Sequence, residues 1–132
     1  MAIRIYSKNA VKLTLIEEKS CAKLITNGSI YSLYVECCTP DSKLKNRVFL
    51  VKDKGVVIGW SVIQEYKRPK GKIKFQFMVY IKKSYRRRGF ASELYKRSKK
   101  YFKLTDDVIR IYATTAANSK FFKSIRPHSQ CF

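Results

Sequence analysis

The sequence predicts an α/β (α+β) fold in which an antiparallel sheet packs against helices. Three segments between Arg47 and Ile81 have strand-like apolar patterns and are separated by turn residues, which is typical of an antiparallel meander. A basic turn and a glycine then lead into a segment with helical periodicity, and a further strand follows. With 132 residues, we expect one domain spanning residues 1–132.

The elements before the meander are less regular. Ala2–Tyr6 predicts a short strand with alternate apolar residues on one face. Lys8–Ile25 fits either strand alternation or a helix with Leu15 and Cys21 on one face. Ile30–Cys38 has helical periodicity and follows a serine that can cap its first turn.

The meander is the clearest part of the pattern. Its strands are predicted at Arg47–Val51, Val56–Tyr66 and Lys72–Ile81. Turn residues separate them at Asp53–Gly55 and at Lys67–Gly71. Alternate residues of the third strand are apolar, so we expect that strand to present one face to a core.

Helix and strand patterns alternate after the meander. Phe90–Leu104 predicts a helix, and Thr105–Asp107 is a turn. Val108–Ala113 predicts a further strand, and Ala116–Ile125 a short second helix.

A basic turn connects the third meander strand to the following helix. Lys82 to Arg88 include two lysines and three arginines, and Gly89 comes next. The first turn of a helix leaves backbone N–H groups unpaired, and the helix dipole adds partial positive charge there. A glycine also lets the backbone come close to a ligand. These features predict a phosphate-binding turn, although a glycine between strand and helix is also common in a simple turn.

The chain is strongly basic, with 29 Lys and Arg against 9 Asp and Glu and a net charge of +20. This charge predicts attraction to an acidic partner, such as nucleic acid, a ribosome, an acidic protein or an anionic cofactor. The lysines are spread along the whole chain, so a general lysine-rich composition explains the charge equally well.

Several classes of protein are disfavoured by the sequence. No apolar run is long enough to cross a membrane, and the N-terminus lacks the apolar stretch of a secretory signal. The cysteines form no CxxC pair and the chain has one histidine, so we expect no metal site. We expect free thiols and a cytoplasmic location. His128 and Cys131 lie in the tail, a poor frame for a nucleophile pair.

Three motifs occur in an order that fits one known family. Arg86-Arg87-Arg88-Gly89-Phe90-Ala91 fits the pattern Arg/Gln-x-x-Gly-x-Gly/Ala at the start of a central helix. Val57–Trp60 resembles the second meander strand of that family, and Ser119–Ile125 resembles its last helix. From Arg47 to Ile125 the chain resembles the GNAT superfamily of acetyl-CoA-dependent N-acetyltransferases. The resemblance implies a mixed, mostly antiparallel twisted sheet flanked by helices and shortened at the C-terminus.

The resemblance also implies how acetyl-CoA, the expected cofactor, would bind. Backbone N–H groups of residues 87–91 would hold the pyrophosphate, and two arginine side chains would add contacts. The pantetheine arm would pair with the end of the third meander strand. In the last helix, Thr115 aligns with an asparagine common in the family, and Asn118 lies close by. The cofactor-binding residues implied in this way are Val79, Tyr80, Ile81, Arg86, Arg87, Arg88, Gly89, Phe90, Ala91, Thr115 and Asn118.

The catalytic residues depart from the family pattern. The tyrosine that protonates the departing CoA thiolate in many relatives aligns with Phe122, which has no proton to give. Many relatives place a glutamate on the third meander strand, where this chain offers only Gln76. Glu65 ends the second strand and either acts as a base through a water or is a surface carboxylate. Further candidates, each of which also fits as a packed aromatic, are Tyr31, Tyr34 and Tyr66.

Two functions from different classes fit these observations. The first is an N-acetyltransferase that moves an acetyl group to a primary amine, on an acidic macromolecule or a nucleic-acid-associated protein. The second is a catalytically weak or inactive module of the same fold that binds nucleic acid or an acidic protein. A general RNA-binding sheet is disfavoured, because Phe75–Tyr80 lacks the glycine–aromatic pattern of that motif. The short C-terminal side predicts an acceptor site that is open or completed by a second copy in a homodimer.

Overall fold

The computed structural model describes residues 3–24 and 44–112, and it gives no side-chain detail for Val11, residues 67–70 or Tyr112. The helices predicted at Ile30–Cys38 and Ala116–Ile125 lie outside the described residues. The described strands and helices are β1 (Ile3–Lys8), α1 (Leu15–Lys23), β2 (Asn46–Asp53), β3 (Val56–Lys70), β4 (Ile73–Ile81), α2 (Phe90–Phe102) and β5 (Ile109–Tyr112).

The five strands form one sheet in the order β1-β2-β3-β4-β5. The first four strands are antiparallel to their neighbours, whereas β4 and β5 are parallel because α2 connects them as a crossover. The two helices flank this sheet. The predicted fold, a mixed and mostly antiparallel sheet with flanking helices, is confirmed.

The two hairpins of the meander differ in how well their turns were predicted. Between β2 and β3, Lys54 and Gly55 have φ values of 51° and 80°, as a type I′ turn requires. The predicted turn at Lys67–Gly71 begins too early, because β3 continues to Lys70, which pairs with Ile73. The pairing is irregular between Glu65 and Lys70, which accommodates a proline that cannot donate to the ladder.

The ambiguous segment before the meander forms helix α1. Thr14 and Glu17 make a reciprocal capping box, in which each side chain accepts from the other residue's backbone N–H. Cys21 is fully buried, as the helical pattern predicts. Leu15 does not share that face, since it is 65% exposed and Ile16 is 78% exposed.

The sheet has an apolar core on each face. The face covered by α2 contributes the alternate apolar residues of β4, as predicted, but the other face of β4 is also buried, through Met78 and Tyr80. Its buried members include Phe49, Val51, Ile63, Phe75, Phe77, Val79, Ile81, Leu94 and Tyr95. The face covered by α1 is built around Trp60, and its buried members include Cys21, Val48, Leu50, Val62, Met78 and Tyr80.

A buried carboxylate anchors α1 to the first strand. Glu17 is 6% exposed, accepts a hydrogen bond from Tyr6 Oη at 2.6 Å and pairs with Lys8 Nζ at 2.8 Å. Burial alone would raise the pKa of Glu17. Hydrogen bonds from Lys8, the Thr14 backbone and Tyr6 outweigh burial and lower that pKa to about 2. Burial, followed by the bond to Glu17, raises the pKa of Tyr6 well above its usual value.

In the described part of the chain, no helix is both long enough and apolar enough to cross a membrane.

We expect the free energy of unfolding to fall as the pH drops from about 4.5 towards 2. A carboxylate whose pKa is lowered in the folded state stabilises the protein above its unfolded pKa and loses that contribution as it is protonated. For Glu17 the loss is on the order of 3 kcal/mol. Urea unfolding at a series of pH values measures it. Glu17→Gln should flatten this part of the curve, and an unchanged acid slope in that variant would assign the effect to other carboxylates.

Candidate functional site

The turn between β4 and α2 contains two residues with positive φ, and only one of them is a glycine. Gly89 has a φ of 82° and caps the N-terminus of α2. A Cβ added at Gly89 would meet no heavy atom within 4 Å, so the space beside it is open. Arg87 also has a positive φ, of 63°, which costs energy for a residue with a side chain. The chain therefore holds this turn in a specific, exposed conformation.

The start of α2 presents a set of backbone donors. The first hydrogen bond of the helix runs from Glu93 N–H to the Gly89 carbonyl at 3.0 Å. The N–H groups of Phe90, Ala91 and Ser92 precede that bond and have no partner within the helix. Because the helix dipole also places partial positive charge here, this arrangement can bind an anionic group such as phosphate.

Arg86 ties the turn to the end of β4. Its Nε donates to the carbonyl of Ile81 at 2.9 Å, and its guanidinium lies 5.6 Å from the centre of the Tyr80 ring. The side chain is half-buried, whereas Arg87, Arg88 and Gly89 are exposed. Arg86 is thus partly used to hold the backbone, and its predicted contact with phosphate stays a prediction.

A second contact joins the turn to the β2–β3 hairpin. Tyr85 Oη donates to Asp53 Oδ2 at 2.5 Å, and the Tyr85 ring packs against the core on the α2 side. The guanidinium of Arg88 lies 5.1 Å from the centre of that ring. The hydrogen bond to Asp53, followed by partial desolvation, raises the pKa of the Tyr85 hydroxyl. No local signal in the sequence pairs Tyr85 with a residue 32 positions away.

The end of β4 lies next to this turn. The described pairing of β4 with β5 runs from Phe75 to Met78, and Val79, Tyr80 and Ile81 extend past it towards the turn. On the other side, Ile81 lies across from Gly59, where a Cβ would come within 2.6 Å of Ile81 Cδ1. This glycine lets β3 pack closely against the end of β4.

The two predicted catalytic side chains lie on opposite faces of the sheet. Glu65 lies across from Phe75, whose side chain is in the core on the α2 side. Gln76 lies across from Gln64 in the adjacent pair of the antiparallel ladder, and so shares the α1 side with Met78. Lys45 N–H donates to Glu65 Oε1 at 3.5 Å. The two side chains therefore cannot act on one group from the same side.

Ser61 is a residue near the site that the sequence analysis did not single out. It lies directly across from Val79, and it is fully buried. Its hydroxyl makes no hydrogen bond with the described residues. The signal in the sequence was a polar residue inside an apolar strand. Burial of a hydroxyl without a hydrogen bond costs free energy of folding, which makes this part of the sheet a candidate for a functional role.

Several predicted site residues lie outside the described ranges. They include the two candidates for the cofactor in the last helix, Thr115 and Asn118, as well as Phe122 and the two other tyrosines, Tyr31 and Tyr34. Among the described residues, no group of three His, Cys, Asp or Glu side chains lies close enough to hold a metal ion.

The comparisons with known proteins agree with this geometry. A sequence model of the acetyltransferase (GNAT) family matches residues 18–124, which is most of the chain. The chain belongs to the GNAT acetyltransferase family. The predicted family is thereby confirmed, and the match includes the whole segment from β2 to the turn at Gly89. No curated protein sequence matches the chain significantly.

Solved structures share the fold at low sequence identity. A ribosomal-protein-alanine N-acetyltransferase from Brucella melitensis biovar Abortus 2308 is 16% identical with a TM-score of 0.60, covering 94% of this chain and 90% of its own. An aminoglycoside acetyltransferase from an uncultured soil metagenomic sample is 15% identical with a TM-score of 0.62, covering 100% and 95%. PaiA N-acetyltransferase from Thermoplasma acidophilum, in complex with coenzyme A, is 14% identical with a TM-score of 0.63, covering 95% and 89%.

We expect Tyr85→Phe to loosen the turn without unfolding the sheet. Loss of this hydrogen bond should speed amide hydrogen exchange about fivefold in residues 83–89. Mass spectrometry of exchanged peptides measures this change. Asp53→Asn keeps an acceptor oxygen and should stay near wild type, and Tyr101→Phe is the control that removes an exposed hydroxyl elsewhere. Unchanged exchange in Tyr85→Phe would show that the bond to Asp53 does not hold the turn.

Proposed function

We propose that this protein is an acetyl-CoA-dependent N-acetyltransferase that acetylates a primary amine. The observation that carries the proposal is the turn at Gly89, with its positive φ, open space and three backbone donors at the start of α2. Family membership and the coenzyme A bound to the Thermoplasma relative support acetyl-CoA as the cosubstrate.

The residues present fit such a cosubstrate. The backbone N–H groups of residues 87–91 would hold the pyrophosphate, and the exposed side chain of Arg88 would add charge. The end of β4, from Val79 to Ile81, would pair with the pantetheine arm. Arg86 would keep that strand end and the turn in register through its bond to the Ile81 carbonyl. Positioning of this kind can supply a large part of the rate enhancement.

Acetyl-CoA supplies an activated acetyl group in a thioester, which the nitrogen of an uncharged amine can attack. The protein must then accept a proton from that nitrogen and return one to the thiolate. Glu65, on the α2 side of the sheet, is the proposed base and acts through a water. Gln76, on the α1 side, is the other proposed catalytic residue and would supply a polar contact. Phe122 can donate no proton, so water or another group must protonate the thiolate.

The proposed acceptor is an acidic macromolecule or a nucleic-acid-associated protein. A net charge of +20 repels small cationic amines and attracts polyanions, which favours an amine in a negatively charged setting. The fold does not select the acceptor, since the Brucella relative is named for a ribosomal protein and the metagenomic relative for aminoglycosides. We place this activity in the cytoplasm, and we propose that the protein forms a homodimer.

An alternative function is a binding module that keeps the fold but does not catalyse acetyl transfer. Phe122 in place of the usual tyrosine favours it, together with the placement of Glu65 and Gln76 on opposite faces of the sheet. Such a protein would bind nucleic acid or an acidic protein through its charge. Binding of acetyl-CoA discriminates between the two functions.

We expect acetyl-CoA to raise the melting temperature of the wild-type protein by several degrees. At about a hundred times its dissociation constant, a ligand adds about 2.7 kcal/mol of stability. Gly89→Glu should abolish the rise, because a carboxylate would occupy the open space and repel phosphate. The matched control is Gly71→Glu. Gly71 has a φ of 62° and equally open surroundings, and it lies at the far end of β4.

The outcomes of this titration separate the alternatives. A rise in wild type and Gly71→Glu but not in Gly89→Glu supports the cosubstrate site at the turn. An equal rise in all three proteins would show that acetyl-CoA binds elsewhere. No rise in any protein would exclude the enzyme in its simple form and favour the binding module.

Once an acceptor is found in a panel of amines, we expect Glu65→Gln to lower kcat about tenfold or more. Loss of a general base removes proton transfer from the amine but leaves the turn at Gly89 intact, so KM for acetyl-CoA should not change. Release of the CoA thiol measures both constants. Glu18→Gln on α1 is the control for removal of one negative charge. If Glu65→Gln keeps the wild-type kcat, Glu65 is a surface carboxylate.

A further inference from the structure

A basic groove lies between α2 and β2, away from the turn at Gly89. It has a volume of about 620 Å³ and opens to the surface. One residue from β2 and five from α2 line it, and we call it the α2 groove: Phe49, Glu93, Lys96, Arg97, Lys100 and Tyr101. Neither the proposed cosubstrate site nor the proposed catalytic residues contribute to it.

The lining of the α2 groove carries more positive than negative charge. Lys96 and Lys100 are exposed and lie four residues apart, which places them about 6 Å apart along the helix axis. Arg97 Nε pairs with Glu93 Oε1 at 2.9 Å, so the single carboxylate of the lining is already matched. The two lysines are therefore an excess of positive charge that no lining residue neutralises.

An aromatic ring is held at the edge of the same groove. Tyr101 is 50% exposed, and the guanidinium of Arg47 lies 4.6 Å from the centre of its ring. Arg47 is itself fixed, because its Nε donates to Ser7 Oγ at 2.9 Å and its Nη2 to the Ser7 carbonyl at 3.2 Å. The guanidinium thus lies over the tyrosine ring, and the bonds of Arg47 to Ser7 tie this pair to the edge of the sheet.

We propose that the α2 groove binds single-stranded nucleic acid. Two lysines spaced about 6 Å apart can follow successive phosphates of an extended strand, and an exposed aromatic ring beside an arginine can stack with an unpaired base. A duplex hides its base faces, so it could use the charges but not Tyr101. An acidic peptide would likewise match the lysines and leave the aromatic pair unused.

This inference is independent of the proposed enzyme. Lys96 is seven residues past Gly89, about 10 Å further along α2, and the groove is floored by β2 rather than by β4. A strand bound in the α2 groove would leave the turn open. Failure of acetyl-CoA binding would therefore not affect the inference, and the two can fail separately.

The first test compares two charge-reversal variants that are matched in spacing. Lys96→Glu/Lys100→Glu changes the α2 groove, and Lys19→Glu/Lys23→Glu makes the same change at two exposed positions four apart on α1. The probe is a fluorescein-labelled single strand of about 12 nucleotides, as RNA and as DNA, followed by anisotropy. We expect about tenfold or greater weakening in the α2 variant and a much smaller change in the α1 variant.

The second test concerns the aromatic ring. Tyr101→Leu keeps apolar volume and charge but removes the stacking surface, and it should weaken single-strand binding about tenfold. Binding of a duplex of the same length should change little in Tyr101→Leu. A rise in melting temperature with acetyl-CoA in every variant shows that the fold is retained. If wild type gives no such rise, an unchanged melting temperature of each variant is the control for folding.

Salt dependence gives an independent measure. The logarithm of the association constant should fall linearly with the logarithm of the salt concentration, and Lys96→Glu/Lys100→Glu should reduce that slope by about 1.4 or more, the value for two phosphate contacts. Comparison of the RNA and DNA strands shows which polymer the groove prefers. Equal weakening by the α1 and α2 variants, no effect of Tyr101→Leu, or equally strong competition by polyglutamate would each overturn the proposal.

Discussion

The constraint on which the rest of the structure depends is that β4 is packed on both faces. Phe75, Phe77 and Val79 contribute to the core under α2, while Met78 and Tyr80 contribute to the core under α1. A shift by one residue would exchange these two sets, so the register of β4 is strongly specified. Because β4 runs directly into the basic turn, this packing also fixes where the turn and the start of α2 lie. The candidate site is therefore positioned by apolar contacts made several residues away.

The turn is then held by contacts that its own motif does not describe. Three arginines beside a glycine indicate an anion site, yet one of them bonds to the end of β4 and another lies over Tyr85. Tyr85 in turn is bonded to the β2–β3 hairpin through Asp53. The strained φ of Arg87 persists because these neighbours fix the turn on both sides. The backbone N–H groups at the start of α2 are thus left available as donors, together with the exposed side chains of Arg87 and Arg88.

Local patterns predicted the parts of the fold whose cause is local. The meander, the type I′ turn at Lys54 and the helix after Gly89 follow from alternation, turn residues and capping, which act over a few positions. The bond from Tyr85 to Asp53 and the placement of Arg47 over Tyr101 depend on the register of strands far apart in sequence. The exposure of Leu15 and the late end of β3 were missed, because helix packing and strand pairing in the folded chain override local sequence pattern.

Net charge and local geometry contribute to different steps of binding in this protein. A net charge of +20 speeds encounter with any polyanion, but it gives neither a docking site nor an orientation. Orientation needs groups at set positions, and among the described residues α2 offers them at two places: the backbone donors at its start, and the lysines and tyrosine ring of the α2 groove. Both belong to one helix, which α2-side packing through Leu94 and Tyr95 holds rigidly against the sheet. A polyanion bound along α2 would thus lie at a fixed distance from the turn.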